Sequence, residues 1–483
     1  MAHSHAADQV QHLKLFDAID KQSGYDEEAL LEKFKEEKFI LQFSVAKNYL
    51  IYLVLKSLVQ YNSGKSAESN LNRELDFSQV LFIKGFYKEC TTQLKKAKKI
   101  AYNFDKHDYT LTIIKKEKQL IASLKNETMI SDLQRLMEEE RHVLDMLKCE
   151  SEYGVVYYSF LNEIHKSRMR NSAEEHEYLN KLRSSIAKKD STAHTTFNCK
   201  NYFFGIETIY NYLINDFEKA SYYGHEHRKL WEENKARFDD EKDDYLEIIY
   251  HYISSCFQTK NYKEINECLT KIKNLETETN DTKQRKNFIY YTLRLRYCAS
   301  LALYHELKEL LEDIERNSKV IDQELYPAYK ITLSINCSIT YFVLEEYRKS
   351  LHWLNTYLNN SNKDIRKDAY SFSRIFNLML HYKLGNNDLL EHVIKNTYRE
   401  IKSQVNIFKY ENLILMFIKK VAKNNSKKNV TLHAKELQTQ LKNLQNNPIE
   451  RDAMRYFNFI CWLESEIQQV PYRSLVEKEI KIN

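Results

Sequence analysis

Apolar residues recur every three or four positions over most of this chain, and the clearest instance runs from Asp244 to Glu276. Ile248, Ile249, Tyr252, Ile253 and Cys256 fall on one stripe, which predicts an amphipathic helix. Gln258 to Asn261 breaks the pattern. A second stripe through Tyr262, Ile265, Leu269 and Ile272 follows, so the unit reads as two antiparallel helices joined by a tight turn. Such a hairpin cannot bury its own apolar faces; it needs neighbours.

The chain supplies copies. Cys90 and Ala97 stand seven apart, two turns along one helix face. A comparable pair returns as Leu133 with Glu140, Leu179 with Ile186, Ala220 with His227, Ile265 with Ile272 and Leu307 with Ile314, then as Ser350 with Tyr357, Leu390 with Thr397 and Ala434 with Leu441. Ala46 with Leu53 reads as an earlier copy. Successive first members lie 40 to 46 residues apart, a period that marks stacked helical repeats.

Four segments follow. Residues 1–24 read as a flexible lead-in ending at Gly24, and 25–70 as N-terminal capping helices. The second of these, Phe39 to Tyr61, is apolar nearly all round and is expected to be buried on several sides. Residues 71–445 form the repeat array. Residues 446–483 supply a closing helix with Met454, Phe457, Ile460 and Leu463 facing inward, and a loosely held tail after Pro471.

The repeated units resemble the tetratricopeptide-repeat (TPR) family. Phe86-Tyr87-Lys88-Glu89-Cys90 through Ala97, Glu346 to Ser350, and Leu384-Gly385-Asn386-Asn387 before Leu390 are similar to its turn and second helix, and Ser338 and Tyr341 to the small and aromatic positions of its first helix. The repeat is longer than the family's usual length of about 34 residues, and the Trp and closing Pro are missing. The likeness, over roughly residues 70 to 445, is to long, diverged bacterial TPR-like proteins, a type without an assigned function. It implies a right-handed α-solenoid of about nine to ten antiparallel hairpins with a period of about 43 residues. By analogy the first helices line a concave wall, which places Glu247, Tyr250, Ser254, Arg296, Tyr382 and Lys383 there.

Composition agrees with an all-α reading. Only 7 Gly and 3 Pro occur in 483 residues, whereas sheet proteins and phosphate-loop enzymes spend many glycines on turns. Hydrophobic content of 43% excludes wholesale disorder. No run approaches 18 consecutive apolar residues and the polar opening lacks a signal-peptide core, so a cytoplasmic protein without a membrane span is expected. The eight cysteines are scattered without a CxxC pair and read as small buried hydrophobes.

Little chemistry survives inspection. Ser63-Gly64-Lys65-Ser66 resembles the end of a phosphate loop, but the upstream glycine it requires is Val59. His225-Glu226-His227 and Glu174 to Glu177 gather metal-ligand types, yet histidines two apart on a helix point to different faces, so a solvated face is expected. His3 and His5 read as part of a flexible tail. Ten Lys or Arg against three Glu between Arg399 and Asn447, with Phe408 and Tyr410 for stacking, and ten Lys against four acids between Lys84 and Lys118, are two basic lanes that could track phosphates. The net charge of +5 is too small for so long a chain to point to nucleic acid by itself, so nucleic acid is not the expected partner. Arg374, Asn377 and His381 share one stripe where packing residues are expected. They read as a paired inter-helix network, with Tyr398 or Glu400 as partners, or as a ligand-contacting cluster.

The sequence therefore predicts a non-catalytic scaffold without cofactor or metal, binding a protein or peptide on the concave wall through Tyr250, Ser254, Arg296, Arg374, Asn377, His381, Tyr382 and Lys383. The alternatives are polyanion binding through the basic lanes and a peptide-responsive regulatory receptor. Neither the partner nor the oligomeric state is legible.

Overall fold

One turn, used again and again, organises the backbone. At Gly85, Asp105, Asn215, Lys260, Ala302, Glu345, Gly385 and Gln469 a helix ends on a residue with positive φ. The next amide then reaches back to the carbonyl five residues earlier, as in Asn261 N to Cys256 O (3.0 Å), Leu303 N to Cys298 O (2.9 Å) and Glu346 N to Tyr341 O (2.9 Å). This is the Schellman closure, which satisfies helix-end carbonyls and reverses the chain within a few residues. The following helix starts at once. Asn261 Oδ1 accepts from Glu264 N and Asp216 Oδ1 from Lys219 N, capping it.

The computed structural model describes residues 12–124, 127–166, 173–187, 196–277, 279–317, 327–360, 367–403 and 408–482. These are helices and connecting turns, with no strand among the described residues, and neighbouring-helix contacts are those of a helical repeat. The chain divides into two units, Met1–Leu147 and Lys148–Asn483.

In the first unit, α1 (residues 12–20), α2 (Glu27–Lys33) and α3 (Phe43–Asn62) enclose a small core of Leu15, Ala18, Leu30, Phe34, Phe43, Ala46 and Leu50. Residues 12–20 are thus ordered helix rather than lead-in; residues 1–11, with His3 and His5, lie outside the described residues. The expected all-round burial of the apolar helix is wrong. Only Phe43, Ala46 and Leu50 of α3 are buried, while Leu41 just before it is 89% exposed and Val45, Tyr52, Leu55 and Val59 face outward. The segment Phe39–Asn62, with mean hydropathy 1.2, is long and apolar enough to cross a membrane by length and composition, and 17% of it is buried. Next, α4 (Ala67–Ile83), α5 (Tyr87–Asn103) and α6 (His107–Leu124) pack through Leu71, Cys90, Leu94, Ala97 and Ile113.

The copy expected at Leu133 and Glu140 does not form a hairpin. Both residues are half-buried on α7 (Met129–Lys166), one unbroken helix of 38 residues whose inward positions in this stretch are Leu136 and Val143. No Gly or Pro interrupts residues 129–153, so no turn forms there.

The second unit holds α8 (Ala173–Ala187) and then a regular succession of hairpins. These are α9 (Phe197–Leu213) with α10 (Phe217–Glu233), α12 (Lys242–Gln258) with α13 (Tyr262–Asn274), α14 (Asn280–Ser300) with α15 (Tyr304–Arg316), α16 (Pro327–Val343) with α17 (Tyr347–Asn360), α18 (Lys367–Lys383) with α19 (Asn387–Ser403), and α20 (Lys409–Lys423) with α21 (Lys427–Leu444). The short α11 (Lys235–Asp240) bridges α10 and α12. Each first helix touches the first helix of the next hairpin, and the expected slots Leu179, Ile186, Ala220, His227, Ile265, Ile272, Leu307, Ile314, Ser350, Tyr357, Leu390, Thr397, Ala434 and Leu441 are all buried. First helices are apolar on two sides because each is sandwiched. On α16, Leu333, Cys337 and Tyr341 pack backward while Ile331, Ile335 and Phe342 pack forward.

The C-terminal end departs from expectation. In place of one closing helix there is α22 (Pro448–Ala453), a 3₁₀ turn to Tyr456, an extended Phe457, and α23 (Phe459–Gln468), capped by Asn458 Oδ1 accepting from Cys461 N at 3.0 Å. Met454, Phe457 and Leu463 face inward as expected; Ile460 is half-buried, and Trp462, like Leu463, is fully enclosed. The tail after Pro471 is no loose end. It forms α24 (Tyr472–Ile482), with Tyr472 and Leu475 buried and Tyr472 stacked 5.3 Å from Phe457.

Candidate functional site

Two groups of expected wall residues come out differently. The first lies on α12, where Glu247, Tyr250 and Ser254 recur at helical spacing on one side. Tyr250 is half-buried with its ring 5.7 Å from His251, and Ser254 Oγ donates to Tyr250 O at 2.8 Å. One turn earlier stands Asp244, at the edge of the same helix face. Partial desolvation by neighbouring side chains, and then the carboxylates of Glu241, Glu247 and Asp243, push its carboxyl up to about 6, against the opposing pull of Arg285. Among the described residues the carboxylates of Asp244 and Glu247 carry neither a hydrogen bond nor an ion pair.

Tyrosines from three other helices gather there. Tyr157 and Tyr158 of α7 lie 5.5 and 6.3 Å from Tyr202 of α9. Gly205 makes the room, because a Cβ on it would sit 2.5 Å from the Tyr157 ring. Burial holds the Tyr157 phenol well above its ordinary range, with Glu247 and Asp244 adding to the effect. On the other side Tyr329 stacks on Phe288 at 4.0 Å, and burial raises its phenol too, with Arg285 opposing and Glu247 and Tyr250 among the contributors. Arg285 Nε is 4.0 Å from Asp243 Oδ1, and Thr282 Oγ1 donates to Asp243 Oδ2 at 3.0 Å. Asp243 thus has partners where Asp244 and Glu247 do not. Arg296 is exposed farther along, its guanidinium 4.1 Å from the Phe257 ring. Sequence reasoning missed Asp244, Tyr157, Tyr202 and Tyr329, since no local pattern links residues on four helices.

The second group, on α18, is occupied by the chain itself. Tyr382 OH donates to Glu466 Oε2 at 3.2 Å, and Lys383 Nζ forms an ion pair with Glu466 Oε1. His381 Nδ1 is 3.1 Å from Asn386 Nδ2, and burial lowers the His381 pKa. A partner of His381 is thus the turn asparagine; Tyr398 is 40% exposed, and the Glu400 side chain lies outside the described residues. The Arg374 guanidinium lies 6.0 Å from the Tyr370 ring, and Asn377, only 8% exposed, has an Oδ1 without a hydrogen-bond partner among the described residues.

The remaining candidates resolve into structure. Ser63 to Ser66 is a capping turn in which Ser66 Oγ accepts from Ser69 N at 3.1 Å and Lys65 Nζ lies 3.3 Å from the Tyr61 ring centre. His227 is no solvated residue. It is buried, with Nε2 2.7 Å from Asn201 Oδ1, and desolvation brings its pKa down to about 3. Among the described residues no group of three or more His, Cys, Asp or Glu is placed to hold a metal ion. In the lane around Lys98, Lys98 pairs with Glu139 at 2.9 Å and Lys118 with Glu140 at 2.6 Å. In the other, Lys419, Lys420, Lys427 and Lys428 are exposed, but Phe408 and Tyr410 are buried and cannot stack on a base.

No protein-family model, curated protein or solved structure matches this chain.

Proposed function

We propose that the protein is a non-catalytic interaction scaffold of TPR-like type, a right-handed solenoid of about nine to ten hairpins working in the cytoplasm, and that it holds a peptide or helix of a partner protein on its first-helix wall. The observation that carries this reading is the unpaired Asp244 and Glu247 beside Tyr157, Tyr202, Tyr250 and Tyr329. Carboxylates without a direct ion pair next to tyrosine rings suit a lysine- or arginine-bearing segment, which can pair with the acids and lie over the aromatic faces. The α18 end is a poorer site, because Glu466 already holds Tyr382 and Lys383.

Affinity purification from the source cell with the full chain, read by mass spectrometry, tests this. Asp244→Asn with Glu247→Gln, and separately Tyr250→Ala with Arg296→Ala, are expected to lose a partner that the parent recovers while the helical spectrum is unchanged. A partner retained by both pairs but lost when Lys419, Lys420, Lys427 and Lys428 become Glu, with affinity falling steeply in salt, overturns the reading in favour of polyanion binding.

A further inference from the structure

Two cysteines fifty residues apart meet in the second unit. Cys149 on α7 and Cys199 on α9 have their sulfurs 3.3 Å apart, and neither is in a disulfide. A disulfide has a length of about 2.05 Å, so an approach of little more than about 1 Å would join them. The juxtaposition is built from both sides. Thr196 caps α9 by accepting from Cys199 N at 3.1 Å, and its hydroxyl also donates to Glu150 Oε1 at 3.1 Å. Glu150 directly follows Cys149, so one threonine links the backbone of one cysteine to the neighbour of the other. Other cysteines hydrogen-bond elsewhere: Cys90 donates to Ser78 O, and Cys298 to Glu306.

We propose that Cys149 and Cys199 form a reversible dithiol site that closes to a disulfide on oxidation by a hydroperoxide. The two sulfurs differ in access in the way such a pair requires. Cys149 is half-buried, whereas Cys199 is 1% exposed, so a small oxidant meets Cys149 first. The thiolate of Cys149 attacks one oxygen of hydrogen peroxide; the O–O bond breaks, and Cys149 becomes a sulfenic acid as hydroxide leaves. The sulfur of Cys199 then attacks the sulfenic sulfur. The S–S bond forms, the S–O bond breaks, and the departing hydroxide takes the Cys199 proton as water. Two thiols and one peroxide give one disulfide and two waters, with two electrons passing to the peroxide. The bond fixes α7 against α9, the two helices that carry Tyr157 and Tyr202.

The test uses the reduced full chain, treated with a few equivalents of hydrogen peroxide and mapped by mass spectrometry without reductant. Expected is a bridged pair of peptides containing Cys149 and Cys199, lighter by two hydrogens, accounting for most of the oxidised protein and lost on adding dithiothreitol. In Cys199→Ser, the sulfenic acid on Cys149 is expected to persist and be trapped by dimedone; in Cys149→Ser, peroxide should leave Cys199 reduced. Cys149 carried to sulfinic acid in the parent without a bridge, or bridges spread evenly over other cysteine pairs, would overturn the proposal. So would a Cys149 that peroxide leaves untouched.

Discussion

Tyr382 and Glu466 are joined by a 3.2 Å hydrogen bond that ties α18 to α23 across more than eighty residues of chain. Lys383 completes the contact through its ion pair with the same carboxylate, and both Glu466 and Lys383 are largely shielded from water. Removing one member leaves the other charge poorly solvated, so Glu466→Ala is expected to cost about 2–4 kcal/mol in urea denaturation. Replacing both charges, as Lys383→Met with Glu466→Leu, should recover most of that loss. Equal stability of Glu466→Ala and the parent would show that the C-terminal helices are not anchored here.

Three of the hairpin turns use residues that dislike the left-handed conformation. Lys260, Ala302 and Glu345 have φ of 54°, 51° and 62°, where a Cβ costs about 1–2 kcal/mol. Glycine there removes the strain, although its freer unfolded chain takes back about 0.5–1 kcal/mol. Ala302→Gly and Glu345→Gly should therefore each raise the melting temperature, by a net gain of about 0.5–1 kcal/mol. Gly385→Ala, at φ 68°, should lower it.

Gly224 marks a close crossing of α10 and α12. A Cβ there would lie 2.7 Å from Tyr252 Cδ2 and 3.3 Å from its Cα, and backbone cannot step aside as a side chain can. Gly224→Ala is expected to cost about 1–3 kcal/mol even though alanine favours helix. A melting temperature at or above the parent's would mean that the two helices can separate freely.

Glu411 gives stability a pH dependence. Its side chain is fully buried, Ser371 Oγ donates to its Oε1 at 2.5 Å, and its Oε2 has no hydrogen-bond partner among the described residues. Burial, reinforced by Glu450, pushes its pKa up to about 7 from 4.5. Between those values the folded chain holds a proton that the unfolded chain releases, so this group's contribution is present below pH 4.5 and lost as pH rises to 7. Glu411→Gln should abolish that loss, gaining on the order of 2–3 kcal/mol over the parent at pH 8 relative to pH 4. Denaturation of both proteins at the two pH values measures it.

Burying the apolar slots at seven-residue spacing leaves few other arrangements for the second helices. Ala220 with His227, Ile265 with Ile272 and Ala434 with Leu441 were accordingly legible from the chain alone. Helix class, hairpin connectivity and period are local consequences of periodicity, and these the amino-acid order determined. The same periodicity misled at Leu133, because a helix with no breaker simply continues through a slot. It misled again at α3, since an apolar stripe reports what would gain from burial and not whether a neighbour exists to bury it. Tertiary structure alone decided that Glu466 reaches Lys383, that Cys149 meets Cys199, and that Asp244 and Glu247 come near tyrosines from α7 and α9. Each joins residues from helices far apart in sequence, where contact depends on crossing geometry and chain return, and neither leaves a mark at helical spacing.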